Sequence, residues 1–353
     1  MVRSMLRSLL CSLPGLICLS CSTVAPEGAP ARIPTGHYDS AFPAEPVSVY
    51  LEQIVESILR MNTVAYYKMY TFGQQERVRV ADLTPAMFSS HENTSVYTSA
   101  STSGTATVVY SLGRKIALLT CAHVVAFPDT TYSYLYGPEG RATEFLSTVS
   151  IQKRTALYVA SLPEAGTVEL LAINHAADLA VVGHTYEADP GYLPPVIRHP
   201  LGRSKDLEWG TFTYLFGYPS GNRVVTKGIV SSPNKDRNHS FLVDAVFGRG
   251  FSGGICCALR DGVPNFEIVG LIKMVPARTY YVVTPGKDRS EVDISEETPY
   301  HGELFVDRRT EIDYGVTQAI SAEIVREFLT ENRGGLEAKG FPLDKILKES
   351  GGS

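Results

Sequence analysis

Short runs of strand-like sequence dominate this chain and fall into two clusters. A proline-rich stretch at 192–202 separates the clusters. The runs of the first cluster lie at 105–111, 115–120, 145–151, 155–160, 168–173 and 178–183, and those of the second at 211–217, 223–231, 240–246, 254–259 and 266–273. Many short strands separated by turn residues are typical of antiparallel barrels. We therefore predict an all-β fold of two antiparallel six-stranded β-barrels, at about 62–188 and about 207–335.

Two segments outside these runs have the spacing of helices. Apolar residues in 47–61 recur every three or four positions, which predicts an N-terminal amphipathic helix. This helix either packs on the barrels or binds a partner, and packing is the commoner role. Residues 322–332 predict a C-terminal closing helix. Its apolar face consists of Ile324, Val325, Phe328 and Leu329. We expect 64–72 to form a strand, 89–103 a loop and 336–353 a tail.

Three residues of catalytic type lie at the edges of strand-like runs. His123 follows the run 115–120, Asp178 opens the run 178–183, and Ser252 stands among glycines. A serine attacks well only when a nearby base takes its proton, and histidine is suited to be that base. A carboxylate on the other imidazole nitrogen would hold the ring in the required tautomer. The three residues therefore predict a His123–Asp178–Ser252 triad assembled from both barrels.

The glycines around Ser252 favour the same chemistry. The backbone N–H groups of Gly250 and Ser252 can turn to one side, which an oxyanion hole requires. Gly253 and Gly254 permit a tight turn and place no side chain against an incoming carbonyl group. The sequence thus predicts an oxyanion hole at Gly250 and Ser252.

Several segments resemble motifs of the trypsin-like serine peptidases, and of the bacterial Htr/Deg group more than the digestive enzymes. Residues 120–124 resemble the family's Thr-Ala-Ala-His segment, and 178–182 resemble its Asp-Leu-Ala-Val-Leu segment. Residues 216–221, followed by 226–232, are similar to its Gly-Asn-Pro-x-Gly … Thr-x-Gly-Ile-Val-Ser pattern. Residues 250–254 are similar to its nucleophile loop.

This resemblance covers about 95–330 and implies a chymotrypsin-like fold with serine endopeptidase activity through an acyl-enzyme. The domain would occupy 46–335, and the tail at 336–353 is too short for a PDZ domain. Position 251 departs from the pattern, because Phe251 replaces the aspartate of digestive enzymes and the usual asparagine of the Htr group. In digestive relatives that aspartate pairs with an amine released by zymogen cleavage. Phe251 cannot make this pair, so we expect activity without such a cut.

The resemblance also implies which residues line the pocket for the side chain before the cut. These are Val246, Phe247, Leu271, Ile272 and Lys273. A buried cation needs a compensating carboxylate, and none is present in this set. We therefore expect a preference for small or medium aliphatic residues. The acidic segment 276–310 is longer than the family usually has, and we expect it to form a hairpin or flap near the pocket.

The N-terminus predicts export. Arg3 and Arg7 accompany a short apolar stretch that ends in small residues, which is typical of a signal peptide over 1–20. The alternative is a buried helix, but Pro14 and Gly15 argue against it.

Cys21 follows directly and resembles the lipidated cysteine of a bacterial lipobox. Lipidation at Cys21 and simple signal cleavage both stay open. Residues 21–45 are rich in proline, glycine and alanine and predict a flexible tether. We therefore expect a periplasmic or cell-envelope protein, with an outer-membrane lipoprotein as one form.

Composition bears on other classes of function. The net charge of −5 offers no broad basic surface for nucleic acid. No internal run is long enough to be a membrane-spanning helix. Beyond the predicted signal peptide and Cys21, only Cys121, Cys256 and Cys257 remain. This odd number does not suggest a disulfide framework, although one bridge from Cys121 to Cys256 or Cys257 stays conceivable. No metal-ligand spacing is present, and we expect no cofactor.

The sequence leaves three functions open. The favoured one is a serine endopeptidase that acts on protein or peptide substrates. The first alternative is a catalytically silent protease fold that serves as a binding protein. The second is a structural envelope lipoprotein whose serine is incidental. The natural substrate and the oligomeric state are not predicted.

Overall fold

The computed structural model describes residues 34–137, 141–233, 240–245, 248–274, 277–285, 304–312 and 315–347. The predicted signal peptide, Cys21 and most of the tether lie outside these residues. Within the described ranges, every helix is too short or too polar to cross a lipid bilayer.

Six strands of the first half close into a barrel. Its strands and one added edge strand are β1 (Ile58–Thr71), β2 (Val96–Leu112), β3 (Lys115–Thr120), β4 (Thr130–Tyr136), β5 (Ala142–Val159), β6 (Thr167–Asn174) and β7 (Leu179–Thr185). The order is β1-β2-β3-β7-β6-β5, and pairing of β1 with β5 closes the ring. β4 extends the sheet on the outer side of β5.

The second half forms another closed six-stranded barrel. Its strands are β8 (Phe212–Gly217), β9 (Val224–Ser232), β10 (Ser240–Val243), β11 (Ile255–Leu259), β12 (Phe266–Met274) and β15 (Thr317–Ser321), in the order β10-β15-β12-β11-β8-β9. Between β12 and β15, β13 (Ala277–Pro285) and β14 (Leu304–Ile312) pair as a separate antiparallel ribbon. The predicted all-β fold of two antiparallel six-stranded barrels is confirmed, and it is the chymotrypsin-like architecture.

Short helices lie before, between and after the strands. They are α1 (Ser48–Val55), α2 (Pro85–Ser90), α3 (Ala122–Val125), α4 (Ala322–Glu331), α5 (Arg333–Ala338) and α6 (Asp344–Leu347). α4 is the expected closing helix, and the Ser321 side chain caps it by accepting a hydrogen bond from Ile324 N.

The segment expected to be a tail contains structure. Residues 333–347 form α5 and α6 and bury four apolar side chains in the core that both barrels share. These side chains are Leu336, Phe341, Leu343 and Ile346. Burial of such groups is worth about 2 kcal/mol each, which explains why the chain continues to pack after α4.

Two segments differ from the sequence expectation near β1. The helix expected over 47–61 ends at Val55, because Ile58 begins a strand that pairs with both β2 and β5. The polar segment 89–103, expected to be a loop, contributes the first half of β2 from Val96. Its residues pair with β1 although most of them are exposed, so no apolar alternation marked the strand.

The end of the predicted tether is attached to the second barrel. Tyr38 is buried, and its hydroxyl donates to Glu267 at 2.6 Å. Asp39 N donates to Leu259 O at 2.9 Å, which aligns this segment with β11. Arg260 donates to Glu267 and lies over the Tyr38 ring at 4.0 Å. The flexible tether predicted over 21–45 could therefore extend only as far as the attachment at Tyr38 and Asp39.

Candidate active site

A histidine and an aspartate meet at one end of the first barrel. β3 and β7 are neighbours, so His123 just after β3 comes close to Asp178 just before β7. His123 Nδ1 lies 2.8 Å from Asp178 Oδ2, and His123 N donates to Asp178 Oδ1 at 3.0 Å. A carboxylate at Nδ1 favours the tautomer with its proton there, which leaves Nε2 free to accept a proton.

The backbone holds Asp178 in an uncommon conformation. Its φ of 59° lies in the left-handed region, which aspartate tolerates better than most residues. Ala122 N donates to Asp178 O at 3.1 Å, so the segment before His123 is fixed to the same residue. The carboxylate is nearly buried, whereas the His123 side chain is 43% exposed. The nearly buried Asp178 carboxylate therefore orients an imidazole that remains accessible from solvent.

The loop that carries Ser252 joins β10 to β11 and is bonded to the first barrel. Thr105 N donates to Ser252 O at 2.8 Å, and Thr105 Oγ1 donates to Gly250 O at 2.7 Å. The same Thr105 hydroxyl accepts from Tyr218 N at 2.9 Å. Sequence reasoning missed Thr105, because it read as an ordinary residue of a strand.

Glycine is required at two positions of this loop. Gly250 and Gly253 have φ values of 103° and 87°. A Cβ at Gly253 would overlap the Thr105 carbonyl oxygen, and a Cβ at Gly250 would overlap the Tyr218 carbonyl oxygen. The close approach to Thr105 of the first barrel therefore excludes a side chain at Gly253, and the close approach to Tyr218 of the second barrel excludes one at Gly250.

The hydroxyl of Ser252 is bonded to a backbone carbonyl rather than to the imidazole. Ser252 Oγ donates to Lys273 O at 2.9 Å, and no hydrogen bond joins it to His123 among the described residues. The two segments are nonetheless adjacent, because Cys121 donates to Ile272 O at 3.3 Å across the barrel interface. The structure thus forms the His123–Asp178 pair and brings the Ser252 loop beside it, with the serine hydroxyl directed to Lys273.

The backbone N–H groups expected to form the oxyanion hole belong to Gly250 and Ser252. Neither Gly250 N nor Ser252 N donates to an acceptor in the described part of the chain, whereas Phe251 N donates to Gly248 O at 3.1 Å. Unengaged N–H groups on the nucleophile and on the residue two positions before it are what an oxyanion hole needs.

The intervening Phe251 points into the second barrel. It is 2% exposed, and a Cβ at Gly217 would come within 2.7 Å of its ring. The apolar packing of Phe251 fixes the loop without the ion-pair partner that a charged residue at this position would need.

The expected pocket residues divide into three groups. Val246 and Phe247 lie outside the described residues. Leu271 is buried in the core shared by the barrels, and Ile272 is buried in the core of the second barrel. Lys273 is half-buried, and its carbonyl holds Ser252. Of the three described members, Lys273 alone reaches the surface of the site.

The three cysteines of the domain are free and buried. Burial raises the pKa of Cys256 and Cys257. The pKa of Cys121 is also raised, mainly by burial and second by the negative charge of Asp178. Cys121, His123 and Asp178 place sulfur, nitrogen and oxygen atoms within 4.8 Å of one another, so they are the described group that could hold a metal. A metal would need the Cys121 thiolate, which its raised pKa disfavours.

Comparisons with known proteins give one family-model match and several matches to solved structures. Residues 104–270 match the family model described as a trypsin-like peptidase domain. The search of curated proteins found no match. Among solved structures, one of the HtrA-type protease AlgW with tripeptide is 14% identical, with a TM-score of 0.42, covering 84% of this chain and 65% of that one. A variant of the same protease with tripeptide gives 14% identity, a TM-score of 0.42 and coverage of 82% and 64%. The chain thus spans less than two thirds of the length of these structures.

Proposed function

We propose that this chain, whose residues 104–270 match a trypsin-like peptidase domain, is a serine endopeptidase that works through an acyl-enzyme. The observation that carries the proposal is the 2.8 Å contact between His123 Nδ1 and Asp178 beside the Ser252 loop. Unengaged N–H groups at Gly250 and Ser252 support it.

In the proposed reaction the Ser252 hydroxyl first leaves Lys273 O by rotating about its Cα–Cβ bond. A staggered rotamer change is fast compared with turnover. The end of the pairing between β11 and β12 favours this exchange. That pairing stops at Leu271, and the backbone bonds between the Ser252 loop and β12 stop at Ile272. Ser252 Oγ is thus the partner that Lys273 O has on this side among the described residues. A substrate backbone N–H can take the place of the serine hydroxyl there, as in strand addition to a sheet edge.

Bond formation then follows from the geometry. His123 Nε2 takes the proton as Ser252 Oγ attacks the scissile carbonyl carbon, and Asp178 stabilises the imidazolium. The carbonyl oxygen becomes an oxyanion that accepts hydrogen bonds from Gly250 N and Ser252 N. The imidazolium gives its proton to the leaving amine as the C–N bond breaks. Water, deprotonated by the same imidazole, hydrolyses the acyl-enzyme and restores Ser252.

One observation favours a second function. The hydrogen bond from Ser252 to Lys273 O keeps the hydroxyl away from His123, which suits a protease fold that binds peptides without cutting them. A fluorophosphonate probe separates the two functions, since only an activated serine reacts with it. Covalent labelling supports the endopeptidase, and intact unlabelled protein that binds peptides supports the silent fold.

Activity is expected without a zymogen cut. Phe251 is apolar and buried against Gly217, so no carboxylate precedes Ser252 to pair with a newly released amine. The mature chain that begins at residue 21 or 22 should therefore react with a fluorophosphonate probe at its full mass. Intact-mass spectrometry checks this, and labelling confined to a chain trimmed near residue 95 would contradict it.

Export and lipid anchoring are part of the proposal and rest on the sequence around Cys21. Two acyl chains on Cys21 would bind a membrane stably, because each buried methylene contributes about 0.8 kcal/mol. Cys21→Ser should move the protein from the detergent phase to the aqueous phase of a detergent extraction, with peptide hydrolysis unchanged. Cys11→Ser is the matched control and should stay in the detergent phase. If wild-type protein is found wholly in the aqueous phase, Cys21 is not lipidated and the signal peptide is simply cleaved.

A further inference from the structure

Three arginines surround one short loop next to the proposed oxyanion hole. The loop, residues 218–221, is the first part of the connection from β8 to β9. A Cβ at Gly221 would come within 2.9 Å of Arg60 Nη1, so the Arg60 guanidinium packs against this loop. Arg223 Nε donates to the Tyr218 hydroxyl at 2.6 Å. Arg249 holds the loop through its backbone, since its carbonyl accepts from Ser220 N at 2.7 Å. We call Arg60, Arg223 and Arg249 the arginine cluster.

The arginine cluster has no carboxylate partner within the described ranges. Arg60 donates to Ser103 Oγ at 3.3 Å, Arg223 donates to a tyrosine, and the Arg249 side chain is exposed. Arg260 and Arg333, by contrast, each contact two carboxylates. Three uncompensated positive charges in a chain of net charge −5 form a local field that attracts anions.

The position of the arginine cluster relative to Ser252 indicates which half of a bound peptide its field acts on. Gly250, whose N–H faces the proposed oxyanion, packs so closely on the 218–221 loop that a Cβ there would overlap Tyr218 O. Lys273 O, just beyond the end of the pairing between β11 and β12, lies on the side of Ser252 Oγ. A peptide whose acyl half pairs with β12 must continue past Gly250, and its leaving half then meets the arginine cluster.

We infer that the arginine cluster selects substrates with acidic side chains in the first few residues after the cut bond. The inference rests on the proposed function and names the substrate class of that same site. An Arg–carboxylate contact at such a partly exposed surface is worth up to about 1 kcal/mol, which is about a fivefold change in kcat/KM. The effect should shrink with added salt, because the screening length at about 0.15 M is only about 8 Å.

The test uses quenched fluorescent peptides built on the best neutral substrate from a peptide library. Three versions carry Glu, Gln or Lys at the second and third positions after the cut. For the full mature chain we expect kcat/KM to fall in the order Glu, Gln, Lys, with about fivefold between Glu and Gln at low salt. Arg223→Gln and Arg60→Gln should each bring the Glu-to-Gln ratio towards one. Arg333→Gln removes the same charge from the carboxylate-paired position on α5 and should keep the wild-type ratio.

The outcomes separate this inference from the proposed function. If the Gln peptide is cut and Ser252 reacts with a fluorophosphonate, but Glu gives no advantage, the endopeptidase stands and the inference is overturned. A Glu preference that survives both Arg223→Gln and Arg60→Gln also overturns it. If no peptide is cut and Ser252 is not labelled, the proposed function fails and the inference fails with it.

Discussion

Ser252→Ala is expected to lower kcat/KM for peptide hydrolysis by about 10⁶-fold, because it removes the atom that forms the acyl-enzyme. His123→Ala should cost a similar amount, since no other base in the described site holds an accessible nitrogen against Asp178. Asp178→Ala should cost about 10⁴-fold, because the imidazole remains but loses its orientation and charge stabilisation. The double variants should lose little more than the single ones, because the three residues act as one unit.

These rates are measured on purified variants with one quenched peptide, after circular dichroism has shown the same folded spectrum. His184→Ala is the matched control. His184 lies half-buried near the end of β7 that is opposite to Asp178, and it contacts Glu164, so its loss should leave kcat/KM near the wild-type value. Hydrolysis by Ser252→Ala at close to the wild-type rate would show that another group is the nucleophile.

Thr105→Val is expected to destabilise the protein and to reduce kcat by about 10²-fold. The substitution keeps the shape of the side chain but removes the hydroxyl that joins Gly250 O to Tyr218 N. Each buried group left unpaired costs about 1–3 kcal/mol, so we expect about 2–6 kcal/mol of lost unfolding free energy. The loss of kcat follows because Gly250, freed from Thr105, no longer holds its N–H towards the oxyanion.

Urea denaturation and steady-state kinetics test this prediction together. Thr107→Val provides a control on the same strand, because the Thr107 hydroxyl is buried and has no hydrogen-bond partner among the described residues. Removing a polar group that is already unpaired should leave stability equal or higher. Equal effects of Thr105→Val and Thr107→Val would mean that the loss of any hydroxyl in β2 matters, and that the contact with Gly250 has no special role.

The catalytic-type residues could be found in the sequence because each has local surroundings that mark it. His123 and Asp178 adjoin apolar runs that become β3 and β7, and neighbouring antiparallel strands bring their ends together. Ser252 stands between Gly250 and Gly253, which the close approaches to Tyr218 O and Thr105 O require. Short apolar runs between turn residues marked most of the strands, so the two barrels were predictable as well. The runs 145–151 and 155–160, expected as two strands, form the single strand β5, and the polar first half of β2 was missed.

Contacts between segments distant in sequence were not predictable in the same way. Thr105 is 145 residues from Gly250, and a threonine in a strand carries no signal of a partner in another barrel. The bond from Ser252 to Lys273 O uses a backbone carbonyl, which every residue has. The predicted helix over 47–61 was too long for a related reason. Pairing of β1 with two strands outweighs a helical pattern that is only local.

We propose that His123 and Asp178 activate Ser252 as the nucleophile. The most direct measurement treats the purified mature chain with a fluorophosphonate probe, digests it and maps the adduct by mass spectrometry. We expect a single phosphonate on Ser252 in the wild type, none in Ser252→Ala, and strongly slowed labelling in His123→Ala. An unlabelled wild type that is folded, or a phosphonate on another residue, would contradict the claim.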